Sequence, residues 1–327
     1  MKNRYLLTAL IVALSATNLM AFDLQGHRGA RGLMPENTLL AFARALSIGV
    51  STLEFDTAVT KDGVVVISHN RGLDKALTRG TDNQWIKKSI LIRDLTFEQL
   101  QQYDVGRIDP DSRAASRFAK QTSVDQTRIP SLQQVFDLVA KSGNTSVKFN
   151  IETKIDPSKP GETVDLEKFV AALLKVIEKN AMAERVTIQS FDWRSLQVVQ
   201  KSNPQINTVY LTAQQQWLDN VKSVDGKASI WTAGFNLDDH QGDVGKLIRA
   251  AGGKIWSPFF GDLTPALIEQ AHLNGLQVIP WTVNDETAME SLIKLGVDGL
   301  ISDYPDRLRQ VIAKNGLELP PATPVNP

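Results

Sequence analysis

The chain has 327 residues, 42% of them hydrophobic, enough to bury a sizeable core in one large α/β domain or in two ordinary ones. Its 36 Lys and Arg balance 36 Asp and Glu, which removes any bulk electrostatic case for nucleic acid or an anionic membrane surface and makes anion binding a local matter. There is no cysteine, so disulfides, thiolate metal sites, cysteine nucleophiles and lipid attachment at a cysteine are all excluded.

At the N-terminus, "MKNRYLLTALIVALSATNLMAFD" places Lys2 and Arg4 before an apolar stretch from Leu6 to Leu14, with small and polar residues following to Ala21. This is the anatomy of a signal peptide over residues 1–21, and it predicts a periplasmic or secreted protein. The apolar run is too short for a comfortable membrane span, so no stable membrane insertion is expected once it is removed. From Asp23 onward, short β-branched or apolar runs alternate with helix-period segments, the pattern of strand–helix units around a parallel sheet. "LQGH" is followed by a helix over Leu39–Ile48 that Gly49 stops, and then by "TLEFDT". The interval from Asn70 to Arg128 is too long for an ordinary connection. It holds one short helix in "TFEQLQQY", with Thr96 and Gln99 placed for a capping box, and reads as an insertion of about residues 71–128 over one barrel face.

Beyond it, Ser131 and Gln134 open a helix over Leu132–Lys141 that ends near Gly143. "SVKFNIET", a helix over Leu166–Asn180, "RVTIQS", "NTVYL", "KIWSPF", a helix over Pro265–Asn274 stopped by Gly275, "QVIPWTV" and "DGLISD" complete the series. Eight strand-like runs predict a TIM (β/α)8 barrel over residues 22–315, with a small insertion after the second β segment. The Pro-rich "LPPATPVNP" predicts a disordered or extended tail over residues 316–327.

Strand alternation puts Glu54 and Asp56 of "TLEFDT" on one side, where two charges repel unless a cation or basic groups lie between them. Glu152 and Lys154 repeat the two-residue spacing in "NIETK". Three carboxylates from two strand ends suit a hard divalent cation, Ca²⁺ or Mg²⁺, better than zinc; they suit rim salt bridges with arginines equally well, and spacing does not choose. Of four histidines, His27 and His69 end predicted β segments as these enter polar loops, which places them as a proton donor and acceptor. His272 is accounted for by a helix C-terminus, and His240 in "LDDHQGD" by a solvated loop. In "GHRGARG" the glycines allow close backbone approach to a ligand, and Arg28 offers a fork of donors for phosphate oxygens. No Gly-Lys-Ser/Thr follows and the dinucleotide glycine spacing is absent. Arg31 reads as solvent-exposed, and Trp281 as an apolar wall for substrate or a core side chain.

The stretches "GHRGARGLMPENTLLAF", "LEFDTAVTKDGVVVISHN", "IPSLQQVF", "IETK", "WTVN" and "ISDYP", in order from Gln25 to Pro305, resemble the glycerophosphodiester phosphodiesterase family. The resemblance implies a TIM barrel with a small cap-like insertion, and hydrolysis of glycerophosphodiesters, such as glycerophosphocholine or glycerophosphoethanolamine, to sn-glycerol 3-phosphate and an alcohol. It further implies that Glu54, Asp56 and Glu152 ligate Ca²⁺ or Mg²⁺, that His27 and His69 are catalytic, and that Arg28 and Lys154 hold phosphate, with Glu36 in a supporting position. Family members commonly have aspartate where this chain has Asn70, a departure that bears on the insertion and not on the metal site. The partner expected is a small-molecule diester and no nucleic acid. One alternative is a phospholipase-D-like or phosphoinositide-cleaving barrel acting on intact lipids, which the lack of an amphipathic basic segment disfavours. Another is a non-catalytic phosphodiester-binding protein, for which two proton-transfer groups would be superfluous.

Overall fold

The computed structural model describes residues 21–327; the expected signal peptide, Ala21 apart, lies outside the described residues. Strand β1 (Asp23–Gly26) leads through helix α1 (Leu39–Ile48) to β2 (Thr52–Val59), on which a short β3 (Val65–Ile67) folds back antiparallel. The next segment carries α2 (Phe97–Leu100) and α3 (Arg113–Arg117) before α4 (Leu132–Lys141) returns the chain to β4 (Lys148–Thr153). Strand–helix alternation then resumes with α5 (Leu166–Lys179), β5 (Val186–Ser190), α6 (Trp193–Ser202) and β6 (Asn207–Thr212). A small hairpin, β7 (Gln214–Gln215) with β8 (Leu218–Asp219), precedes α7 (Val244–Ala250), β9 (Ile255–Pro258) and α8 (Pro265–Leu273). The chain closes with β10 (Gln277–Val278), α9 (Glu286–Lys294), β11 (Gly299–Ser302) and α10 (Pro305–Lys314).

Eight parallel strands follow one another in the order β10-β9-β6-β5-β4-β2-β1-β11. Backbone bonds from Asp298 N to Val278 O (2.9 Å) and from Ile301 N to Pro280 O (3.1 Å) draw the two ends together, which nearly closes the barrel. These eight are the runs read from the sequence, so the TIM-barrel expectation holds. The β segment expected to end at His69 is β3, which lies outside the eight barrel strands; the β7–β8 hairpin was not expected, since strands of two residues are too short to show a period. Helices α5 and α8 each end one residue short of the expected boundary.

Strand alternation explains how one sequence makes both core and site. Phe55 and Phe149 turn outward to the helices, where Phe55 meets Phe42 of α1 edge-on at 5.3 Å and Phe149 meets Phe136 of α4 at 4.9 Å. Their neighbours Glu54 and Asn150 turn inward. Inside the barrel Asn150 donates to Gln25 Oε1 (2.9 Å) and Gln189 Oε1 (3.0 Å), and Gln189 Nε2 donates to Glu54 Oε1 (2.6 Å). The interior is therefore a bonded amide layer beneath a carboxylate on this side, whereas Val209, Ile255, Ile279 and Ile301 make the other side apolar. The capping boxes at Thr96/Gln99 and Ser131/Gln134 are both formed, and Gly49 ends α1 at φ 88°.

The insertion folds over its own apolar cluster, in which Leu73, Ile92, Leu100 and Ile129 pack with Ala58 and Val66 of the β2–β3 pair. The C-terminal tail is extended. Thr323 N donates to Leu46 O (2.9 Å), Arg309 Nη1 to Pro320 O (2.7 Å) and Lys141 Nζ to Asn326 O (2.8 Å), while Leu317, Leu319 and Val325 pack on the core. Among the described residues no helix is long and apolar enough to cross a membrane.

Candidate active site

The chemistry-bearing residues gather at the C-terminal ends of the barrel strands, the face where barrel enzymes keep their sites. The loop after β1 is a tight turn: Gly29 N donates to Gly26 O (3.1 Å) and to Glu54 O (3.2 Å). A Cβ on Gly26 would lie 2.2 Å from Gly29 O; one on Gly29, at φ +83°, would lie 2.7 Å from the carbonyl carbon of Ala41. This close approach aims the Arg28 backbone N–H at Glu54 Oε2 (2.9 Å), which explains why the loop needs its glycines. Gly29→Ala is expected to cost roughly 1–3 kcal/mol of stability through the left-handed backbone and the clash, read as a lower midpoint in denaturant or thermal unfolding. An unchanged midpoint would contradict this account of the turn.

Asp56 and Glu152 are register partners on β2 and β4, and with Glu54 they place one oxygen each within 4.8 Å of one another, all three residues buried. Burial and the neighbouring carboxylate charges push Glu54 well above the ordinary carboxylate range. Burial likewise pushes Glu152 up to about 7, against the pull of Lys154. Asp56 is held far down despite burial, by His69, Arg28 and Lys154 and by the Asn37 amide, which donates at 2.9 Å. The set is thus short of positive charge although Lys154 Nζ lies 2.8 Å from Glu152 and 3.7 Å from Asp56, and Arg28 Nε 3.3 Å from Asp56. Three converging hard oxygen donors with uncompensated repulsion fit a divalent cation. The same side chains therefore make the salt bridges with Lys154 and Arg28 and converge as a set that could hold a divalent cation.

His27 and His69 line one cavity with the triad, Arg28, Lys154 and Trp281. His27 Nδ1 donates to Asp303 Oδ1 at 2.5 Å, and its Nε2 stands 3.9 Å from Glu54 Oε2. His69 Nδ1 donates to Asn70 Oδ1 at 2.7 Å. His69 follows the antiparallel β3 and not one of the eight barrel strands, so it is the β2–β3 pair that carries it to the cavity. Burial lowers the pKa of both imidazoles, an effect that Asp303 partly offsets at His27 and that Arg28 and Lys154 deepen at His69.

Arg31 is not solvent-exposed as the sequence reading had it. It pairs with Glu36, whose other oxygen takes Arg28 Nη1 at 2.6 Å, and its guanidinium stacks over Phe118 of the insertion at 4.4 Å. Glu36 is thus the clamp that spaces two arginines. His272 does lie in the last turn of α8, but Nε2 also meets Asp298 Oδ2 at 3.0 Å. His240 ends a short 3₁₀ turn and is only half-buried. Among the described residues, the triad is the one cluster of three or more acidic or histidine ligands. Trp281 is neither isolated nor in the core. Its ring meets Phe191 (5.4 Å), Phe259 (5.7 Å) and Trp217 (6.2 Å) and, with Phe191, forms the apolar side of the cavity.

Gln189, Asn37, Asn284 and Asp303 were not singled out in the sequence. The signal for Asp303 was available: it follows the last strand in "ISDYP" as His27 follows the first, and register pairing of Gly26 with Ser302 makes the two neighbours.

The sequence model of the Glycerophosphoryl diester phosphodiesterase family matches residues 27–307. A glycerophosphodiester phosphodiesterase of Caldanaerobacter subterraneus subsp. tengcongensis is 29% identical over 290 residues, covering 89% of this chain and 97% of that protein. One of Bacillus altitudinis is 30% identical over 86% of this chain and 94% of its own. A crystal structure from Silicibacter pomeroyi DSS-3, assigned as a glycerophosphoryl diester phosphodiesterase, superposes with a TM-score of 0.81 at 32% identity, covering 91% of this chain and 95% of the other.

Proposed function

Because the chain belongs to the glycerophosphoryl diester phosphodiesterase family, and so is an enzyme that hydrolyses phosphoric diesters, we propose that it cleaves glycerophosphodiesters such as glycerophosphocholine and glycerophosphoethanolamine to sn-glycerol 3-phosphate and the free alcohol. The observation that supports this reading best is that two imidazoles share one cavity with three buried carboxylates and four cationic side chains, Arg28, Arg31, Arg117 and Lys154. Glu54, Asp56 and Glu152 would hold Ca²⁺ or Mg²⁺, which when bound supplies Lewis-acid stabilisation of negative charge on the phosphoryl oxygens. Arg28 orients the same oxygens; its buried Nε makes no hydrogen bond and is left as a donor for them. Lys154 adds a second positive group beside the triad. One histidine takes the proton of the attacking hydroxyl, and the other protonates the departing alcohol oxygen, since an unprotonated alkoxide is a poor leaving group at neutral pH. The attacking group is the substrate's own glycerol hydroxyl, and water then opens the cyclic phosphate with the proton transfers reversed. Trp281 and Phe191 pack on the apolar part of the substrate.

A second reading, cleavage of intact lysolipids, draws support from Trp217, an apolar ring 60% exposed and 6.2 Å from Trp281. Assays of glycerophosphocholine and of lysophosphatidylcholine, each scored for released choline, decide between them. The deacylated diester is expected to have a kcat/KM at least about 10-fold higher, a difference of about 1.4 kcal/mol in transition-state binding. A reversed ratio would favour the second reading, and release from neither substrate would overturn both. We further propose, from residues 1–21 alone, export to the periplasm or the cell exterior, which N-terminal sequencing of protein recovered outside the cytoplasm would test.

A further inference from the structure

Asp303 is a fully buried carboxylate outside the triad, and it does not line the cavity. A buried carboxylate is costly unless its oxygens are paired. Here the two are divided between two partners: Oδ1 accepts from His27 Nδ1 at 2.5 Å and Oδ2 from Asn284 Nδ2 at 2.6 Å. Asn284 is fixed in turn, because its Oδ1 accepts from the Asp303 backbone N–H at 2.9 Å and from the Ser302 hydroxyl at 3.2 Å. The histidine is tied at its backbone too, His27 N donating to Ser302 O at 2.9 Å. His69 has a different arrangement: its Nδ1 meets only the neutral amide oxygen of Asn70.

We propose that Asp303, steadied by Asn284, is a positioning residue that holds His27 in its Nδ1–H tautomer with Nε2 turned to the triad and the diester. An ionised carboxylate can only accept, so the proton must sit on Nδ1, and Nε2 is the nitrogen left to exchange a proton. When His27 takes up a proton, Asp303 stabilises the imidazolium without itself moving. The two histidines are therefore not interchangeable: His27 is backed by a charge and His69 by a dipole. The inference rests on the reading of His27 as a proton carrier.

The test uses Asp303→Asn, His27→Ala and their combination in the cation-loaded protein with glycerophosphocholine, together with ¹⁵N NMR of the histidine side chains. In the wild-type enzyme, Nδ1 of His27 is expected to give the protonated-type shift and Nε2 the unprotonated one. Asp303→Asn is expected to lower kcat roughly 10²-fold with KM changed by less than about 3-fold, and to add little to the loss of His27→Ala, as for residues acting as a unit. An Nε2–H tautomer in the wild-type enzyme overturns the proposal even if the variants do not fold. Folded Asp303→Asn with wild-type kcat, beside an inactive His27→Ala, overturns this inference alone. If both variants turn over normally, the proton role of His27 fails and this inference falls with it.

Discussion

Chelation of divalent cations is expected to abolish hydrolysis, and added Ca²⁺ or Mg²⁺ to restore it. Glu54, Asp56 and Glu152 are brought to within 4.8 Å by two adjacent strands, and burial, together with the neighbouring carboxylate charges, raises Glu54 and Glu152 above the ordinary carboxylate range. A divalent cation offsets the repulsion in the folded state only, since the unfolded chain does not assemble the three oxygens. Added cation should therefore raise the unfolding midpoint, by a free energy of about 2.7 kcal/mol at a concentration of 100 Kd. Glu152→Gln removes one charged ligand while keeping the shape of the side chain. It should still fold, bind cation more weakly by calorimetry and lose most of the cation-induced shift in midpoint. Two outcomes would sink the idea: full turnover in chelator-treated, metal-free protein, or a midpoint that ignores the cation in the wild-type chain.

The triad and the barrel were legible in the sequence for one reason. In "TLEFDT" and "SVKFNIET" a period of two separates aromatic residues that face helices from carboxylates that face the interior, so fold and site are written in the same letters. The capping boxes are local and were equally readable. What stayed hidden depends on distant partners. The environment of Arg31 is set by Glu36 and by Phe118 of the insertion, and nothing near Arg31 in the chain announces the second of these. The tail holds its place through Leu46, Lys141 and Arg309, each on a different helix. Asp303 lies 276 residues from His27 and becomes its neighbour only because the first and last barrel strands pair. That contact follows from closure of the barrel, and a strand count implies closure without showing which loop residues it brings together.

The larger kinetic effects should come from the histidines themselves. His27→Ala and His69→Ala are each expected to lower kcat by roughly 10²–10⁴-fold, the usual contribution of general acid–base catalysis. Cation affinity should change much less, because neither ring belongs to the triad. Both act on one reaction path, so the double variant should lose less than the product of the single losses. A purely structural role predicts the opposite pattern, with lower unfolding midpoints, small kinetic effects and losses that multiply. A diester with a strongly acidic alcohol separates the two roles, because its leaving group needs little protonation and should partly rescue whichever variant lacks the general acid. His27, with a carboxylate behind Nδ1, and His69, with an amide there, should respond unequally to that substrate. If both variants remain folded and cleave glycerophosphocholine at near wild-type rates, proton transfer by these residues is wrong, and Arg28 with the bound cation would have to stabilise the transition state without it.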